Sequence, residues 1–237
     1  ALLAATLALT PGAFAQPFAV SVVERTDLTN APALHSGAVA EHDGLWLFVA
    51  GRTNGLHAFF GDAFPRESEN DSVFVYDRAT DTRWSASLDG LDPAIANHFR
   101  TTNGQFLSRG DSLIYVGGYG HRETEAEKVT FGAMTVLDVP GIIDAVIAGT
   151  DLAPHLSQPI VWDDALAVTG GHLVESPGGR LALIGGNRFD GEYITSPSAV
   201  QQVYTEAIRT FDVGASGLVD VEETTDPELH RRDGNAA

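Results

Sequence analysis

Three short stretches decide the fold: Leu45-Trp46-Leu47-Phe48-Val49-Ala50-Gly51, Leu113-Ile114-Tyr115-Val116-Gly117-Gly118 and Leu181-Ala182-Leu183-Ile184-Gly185-Gly186. Each is an apolar strand of four or five residues that ends in a pair of small residues, and the steps between them are 67 and 68 residues. A recurrence at a constant interval is the mark of a repeat architecture, in which each copy stacks on the next because it cannot bury both of its faces alone.

Working outward, each stretch follows a turn signal: His42-Asp43-Gly44, Arg109-Gly110-Asp111 and Pro177-Gly178-Gly179. Each is therefore expected to be the second arm of a hairpin, with first arms at 36–41, 101–108 and 167–176. Third strands closing on Asp follow at 73–77, 134–138 and 208–212, and weaker fourth strands are expected at 82–88, 142–147 and 218–222. Each unit thus reads as a four-stranded antiparallel meander, and the fold class is all-β.

The order of strand, glycine pair, long loop, strand ending in Tyr-Asp, and then Asp81-Thr82-Arg83-Trp84 resembles the kelch repeat. The resemblance covers about 34–223 and implies a β-propeller of about three four-stranded blades. It is partial: Ala50 stands in for one glycine, and Ala145 and Val219 fall where the outer-strand Trp of a kelch unit belongs. In wording, stretches such as Gly51-Arg52-Thr53-Asn54-Gly55-Leu56-His57 and 230–235 are similar to secreted bacterial kelch-like proteins without an assigned activity. The glycine pairs are expected because a Cβ there would strike the neighbouring sheet. The expected organisation is a truncated signal peptide at 1–15, a lead-in with a candidate latch strand at 16–33, blades at 34–95, 96–160 and 161–225, and the start of a fourth at 226–237. His230 to Asn235 resembles His98 to Asn103 and carries that last assignment. Propellers close with roughly four to eight blades, so three and a fragment read as part of a longer ring.

Ala1 to Leu9 is apolar except for Thr6, and Pro11-Gly12 and Ala13-Phe14-Ala15 follow, which is a signal-peptidase pattern. A secreted, cell-surface or periplasmic location is therefore expected. The net charge of −18, from 14 basic and 32 acidic side chains, argues against nucleic-acid or anionic-membrane partners. With no cysteine, disulfides, thiolate catalysis and cysteine metal sites are excluded. The copper-containing galactose oxidases, which share the kelch propeller, need a cysteine for their cofactor, so that resemblance ends at the fold.

Candidate chemistry gathers on the long loops after the second strands, 52–71, 119–132 and 187–206, and on the inner-strand starts. Loops of more than about 12 residues without structure of their own are more often functional than idle. Arg and His there could hold a carboxylate by charge-assisted hydrogen bonds, or could stitch blades together as ion pairs. The candidate ligand residues are Arg52, His57, His98, Arg100, His121, Arg122, Arg188 and Arg231. No nucleophile motif and no metal-ligand spacing is present, so no catalytic residue, metal or cofactor is assigned. The chain reads as a binding module for a protein or carbohydrate ligand on its loop-rich face. The alternative is a periplasmic sugar-processing enzyme of the sialic acid mutarotase type, which requires Arg100, Arg231 or Arg232 to meet a histidine in one concave pocket.

Overall fold

The structure is a computed structural model that describes residues 21, 23–58, 62–122, 128–157, 160–193, 201–214 and 217–233. The leader-like segment 1–15 and part of the candidate latch strand at 18–24 lie outside these residues; the described part, 21 and 23–24, is not strand.

Strand follows strand as the apolar alternation demands. The first sheet comprises β1 (Ala38–His42), β2 (Leu45–Val49), β3 (Ser72–Asp77) and β4 (Thr82–Ser87). After the short helix α1 (Pro93–Phe99), the second sheet begins with β5 (Gln105–Arg109) and β6 (Ser112–Val116). It then sends out a ribbon of β7 (Tyr119–His121) and β8 (Lys128–Thr130), and returns as β9 (Ala133–Asp138). Helix α2 (Val139–Ala148) precedes its last strand, β10 (Val161–Trp162). The third sheet has β11 (His172–Glu175) and β12 (Leu181–Ile184), a ribbon of β13 (Asn187–Asp190) and β14 (Gln201–Tyr204), then β15 (Ala207–Gly214) and β16 (Gly217–Thr225). Among the described residues this makes three four-stranded antiparallel sheets, each in meander order, and two ribbons. The arrangement fits a β-propeller.

The second sheet is buried on both faces, which explains why Leu113 to Val116 is apolar throughout rather than alternating. Successive side chains of a strand point to opposite faces. Leu113 and Tyr115 accordingly join Leu47, Val49, Val75 and Phe99 in a core shared with the first sheet. Ile114 and Val116 join Leu166, Val168, Leu183 and Phe211 in a core shared with the third.

Repeated backbone hydrogen bonds join the units. The N–H of the second residue in each small pair donates to the next unit's lead-in: Gly51 to the Thr101 carbonyl at 2.9 Å, Gly118 to Val168 at 2.9 Å and Gly186 to Arg231 at 3.0 Å. A second series runs between the lead-ins themselves. Asn103 donates to the Ser36 carbonyl at 3.1 Å, Gly170 to Asn103 at 2.9 Å and Asp233 to Gly170 at 2.8 Å. Ser36, Asn103, Gly170 and Asp233 all have left-handed φ, from 52° to 65°. Asp233 therefore repeats the geometry of Asn103, and the register of 230–235 against 98–103 shifts by two residues.

Three sequence expectations are corrected. Residues 142–147 are helix, not a fourth strand: Val139, Ile142, Ile143 and Val146 share one buried face at helical spacing, with Pro140 in the first turn and Gly149 ending the helix at φ 66°. The outer strand is instead β10, and Trp162, rather than Ala145, occupies it. The lead-in at 93–99 is likewise helical, with Asp92 capping it by accepting from the Ala94 N–H at 2.8 Å. The long loops after β6 and β12 are not structureless either, since they carry the two ribbons.

The glycine pairs combine close approach with backbone conformation. Both residues of every pair have positive φ, Ala50 included at 58°. A Cβ on Gly117 would sit 2.1 Å from the Val168 carbonyl oxygen of the next unit, as expected, but one on Gly51 or Gly186 would strike the lead-in of its own unit, at Gly37 or Gly171. Gly117→Ala should therefore lower stability by roughly 3 kcal/mol, from left-handed strain plus overpacking. Ala50→Gly should stay within about 1 kcal/mol of the parent, because relief of strain offsets added unfolded-state entropy. Urea denaturation of the two variants checks both; equal losses would contradict this account.

Candidate functional site

The four lead-ins converge on one cavity of about 370 Å³, reached by His35 and Ser36, Thr102 and Asn103, Thr169, and Arg232 and Asp233. Each of the first three lead-ins forms an antiparallel bridge with the residue that follows a small pair: His35 with Arg52, Thr102 with Tyr119, Thr169 with Asn187. The small pairs thereby deliver Arg52, Tyr119 and Asn187 to equivalent places on the cavity wall.

Arg52 is 3% exposed. Its Nε and Nη2 donate to the Asn54 Oδ1, and its guanidinium lies 4.4 Å from the centre of the Phe64 ring. Among the described residues no carboxylate comes within ion-pair distance of it, and burial pushes its pKa below the usual arginine value. Asn187 is fully buried, and neither its Oδ1 nor its Nδ2 has a hydrogen-bond partner among the described residues. A buried charge with no carboxylate in ion-pair distance and a buried amide with no partner, both among the described residues of one cavity wall, are costly unless a ligand or water satisfies them.

The remaining wall is aromatic. Phe64, Tyr119, Phe189 and Tyr193 form a chain of edge and tilted contacts with centroids 5.1 to 5.5 Å apart, and His57 packs 4.7 Å from Tyr193. The Tyr119 hydroxyl donates to the Gly191 carbonyl at 2.6 Å. Burial first, and then the charge of Glu192 and Asp62, raise its pKa, so it stays protonated as a donor. Arg232 lies 6.0 Å from the Tyr193 ring centre, and Asp233 Oδ1 accepts from the Asn103 amide at 2.9 Å.

Of the sequence candidates, Arg52 and His57 line this cavity. Arg100 pairs with Asp89 at 3.0 Å, Arg188 with Asp190 at 2.8 Å, and Arg231 with Glu228 at 3.6 Å, so these guanidinium groups lie against carboxylates outside it. His121 Nδ1 is 2.7 Å from Glu69 Oε1, which also accepts the His121 backbone N–H. Arg122 receives the Arg66 guanidinium on its carbonyl at 3.1 Å, and it does not border the cavity. Arg232, one residue beyond Arg231, lines the cavity instead, with its Nε 3.6 Å from the Asp233 carboxylate. Reading the candidates by residue type passed over Tyr119, Asn187 and Asp233. The signal that finds the first two is positional: they directly follow the glycine pairs. Among the described residues no group of three or more His, Cys, Asp or Glu side chains is placed to hold a metal ion.

His98 belongs to the core instead of the site. It is completely buried, its Nε2–H donates to the Gly117 carbonyl at 3.1 Å, and its Nδ1 faces the Thr135 hydroxyl at 3.0 Å. Burial, only partly opposed by the bond to Gly117, lowers its pKa to about 3.

No family model matches this chain, and no curated protein matches it. Among solved structures it is similar to that of YjhT, at 13% sequence identity and a TM-score of 0.42, over 81% of this chain and 44% of that one. The chain thus spans less than half the length of that protein.

The neutral His98 has a consequence for stability. Because its folded pKa lies below the unfolded value near 6.5, the unfolded state binds the extra proton between these two values. Stability conferred by the neutral ring is complete above about pH 6.5 and declines as the pH falls toward 3, at up to about 1.4 kcal/mol per pH unit. Denaturation midpoints measured from pH 7.5 to 4.5 should show this slope, and His98→Gln should flatten it. An unchanged slope in the variant would remove His98 as its source.

Proposed function

We propose that this chain is part of a secreted, cell-surface or periplasmic kelch-type β-propeller that acts as a glycan-binding module, taking a small acidic carbohydrate into the cavity between its lead-ins. One observation carries the reading: among the described residues Arg52 is a buried guanidinium with no carboxylate in ion-pair distance, on a wall it shares with an Asn187 amide that has no hydrogen-bond partner and with a row of aromatic rings. A planar guanidinium matches a carboxylate in two-point geometry, amides and hydroxyls match sugar hydroxyls, and aromatic rings match the apolar face of a pyranose. Repeated junctions between the sheets support the propeller assignment, with three blades and the lead-in of a fourth in this chain.

A second reading, a sugar-processing enzyme of the sialic acid mutarotase type, is favoured by one observation. Arg232 lines the same concave cavity as His35 and His57. That convergence was the requirement for the enzyme, although it is met by Arg232 alone of the three arginines considered.

Calorimetric titration with galacturonate, N-acetylneuraminate and neutral galactose separates acidic from general sugar binding. At least one of the two acids should bind about tenfold or more tighter than galactose, and Arg52→Gln should abolish that preference, since a hydrogen bond to a charged group contributes about 1.5–3 kcal/mol. Equal binding of acids and galactose, or an unaffected Arg52→Gln, would refute the proposal. Anomer exchange of the acid followed by NMR, faster with the protein than without it, would select the enzyme reading.

A further inference from the structure

Lys128 is the sole lysine of the chain and is 1% exposed. Its Nζ donates to Asp62 Oδ1 at 2.7 Å and to Glu192 Oε2 at 2.6 Å. Asp62 belongs to the segment after β2 in the first unit and Glu192 to the segment after β13 in the third, whereas Lys128 opens β8 in the second. One ammonium group thus joins the loop regions of all three units.

Both partners lead directly to the cavity wall. The same Asp62 Oδ1 accepts the Phe64 backbone N–H at 2.9 Å, and the Phe64 ring carries the Arg52 guanidinium. Glu192 immediately precedes Tyr193, whose ring packs on Phe64 at 5.5 Å. A further backbone bond closes the arrangement: the Gly191 N–H donates to the Lys128 carbonyl at 2.8 Å, while the Gly191 carbonyl receives the Tyr119 hydroxyl. Lys128 does not itself line the large cavity.

We propose that Lys128 is a positioning residue for the cavity, a three-way clasp that sets Phe64 and Tyr193 relative to one another and thereby holds Arg52 at the ligand. The physical basis is the cost of a buried cation. The ammonium needs both carboxylates, because losing either leaves a desolvated charge under-compensated, and this draws two otherwise independent segments to one point. The ammonium is compact and carries three donors, so it reaches two carboxylates that approach from different directions. The sheets are joined separately, by the backbone bonds of the small pairs and lead-ins, so release of the clasp loosens the wall without separating the units. Only the ligand-binding consequence rests on the proposed function.

Hydrogen exchange of the full chain, read by mass spectrometry in the parent and in Lys128→Met, tests the clasp. Amides of 62–66 and 188–193 should exchange about tenfold faster or more in the variant, while those of β2, β6 and β12 stay within about twofold. Asp62→Asn and Glu192→Gln keep the ammonium and one partner; each should accelerate exchange chiefly in its own segment, and they preserve the test should Lys128→Met fail to fold. Unchanged exchange at both segments, or a uniform rise across all sheets, would overturn the clasp. Galacturonate affinity should also fall about tenfold in Lys128→Met. If the parent protein binds no acidic sugar, the functional reading fails by itself, and the exchange pattern still decides the role of Lys128.

Discussion

The structure depends on a backbone constraint at the end of each second strand. To turn its N–H groups toward the next unit, the chain must adopt left-handed φ at two consecutive residues while passing within contact distance of a lead-in. Glycine meets both demands at five of the six positions; Ala50 meets them at the sixth with its methyl group buried. Once Gly51, Gly118 and Gly186 donate to Thr101, Val168 and Arg231, the angular relation between successive sheets is set, and the two hydrophobic cores on either face of the second sheet follow from it.

The same constraint makes the cavity. The residue after each pair leaves the turn as an isolated bridge to its lead-in, so Arg52, Tyr119 and Asn187 arrive at equivalent points from three units. A repeat that is uniform in backbone thus presents a cation, a phenol and an amide around one space, and chemical asymmetry comes from side chains alone. The overall charge of −18 makes a buried arginine with no carboxylate in ion-pair distance among the described residues the more telling, since acidic side chains are plentiful and several other arginines have taken one. Lys128 does the opposite: it consumes two carboxylates from neighbouring units and keeps them out of the cavity.

Much of the strand pattern was legible because a strand's two-residue alternation and a glycine-ended turn are local properties. The ladders at Leu45–Val49, Ser112–Val116 and Leu181–Ile184 lie where the apolar runs and turn signals place them. Helix α2 was missed although its signals are present: the apolar positions 139, 142, 143 and 146 follow a helical period, but the expectation of a fourth strand in each repeat overrode that period. His98 was misassigned for a different reason. Histidine can be a ligand residue or a satisfied core residue, and nothing in one dimension places the Gly117 carbonyl and the Thr135 hydroxyl against its two nitrogens.

The sequence by itself determined the repeat, its all-β character, the positions of the hairpins and the absence of cysteine from these 237 residues, because these follow from spacing, alternation and composition along the chain. Tertiary structure alone decided which arginine keeps its charge available. Arg52, Arg100, Arg188 and Arg231 are equivalent as residue types. Only the packing shows that three of them lie beside carboxylates, whereas Arg52 is turned inward onto Phe64. Arg188 and Arg231 meet carboxylates two and three residues away along the chain, whereas the surroundings of Arg52 depend on how the segment carrying Phe64 folds back against it, and that approach is not encoded in the residues next to Arg52.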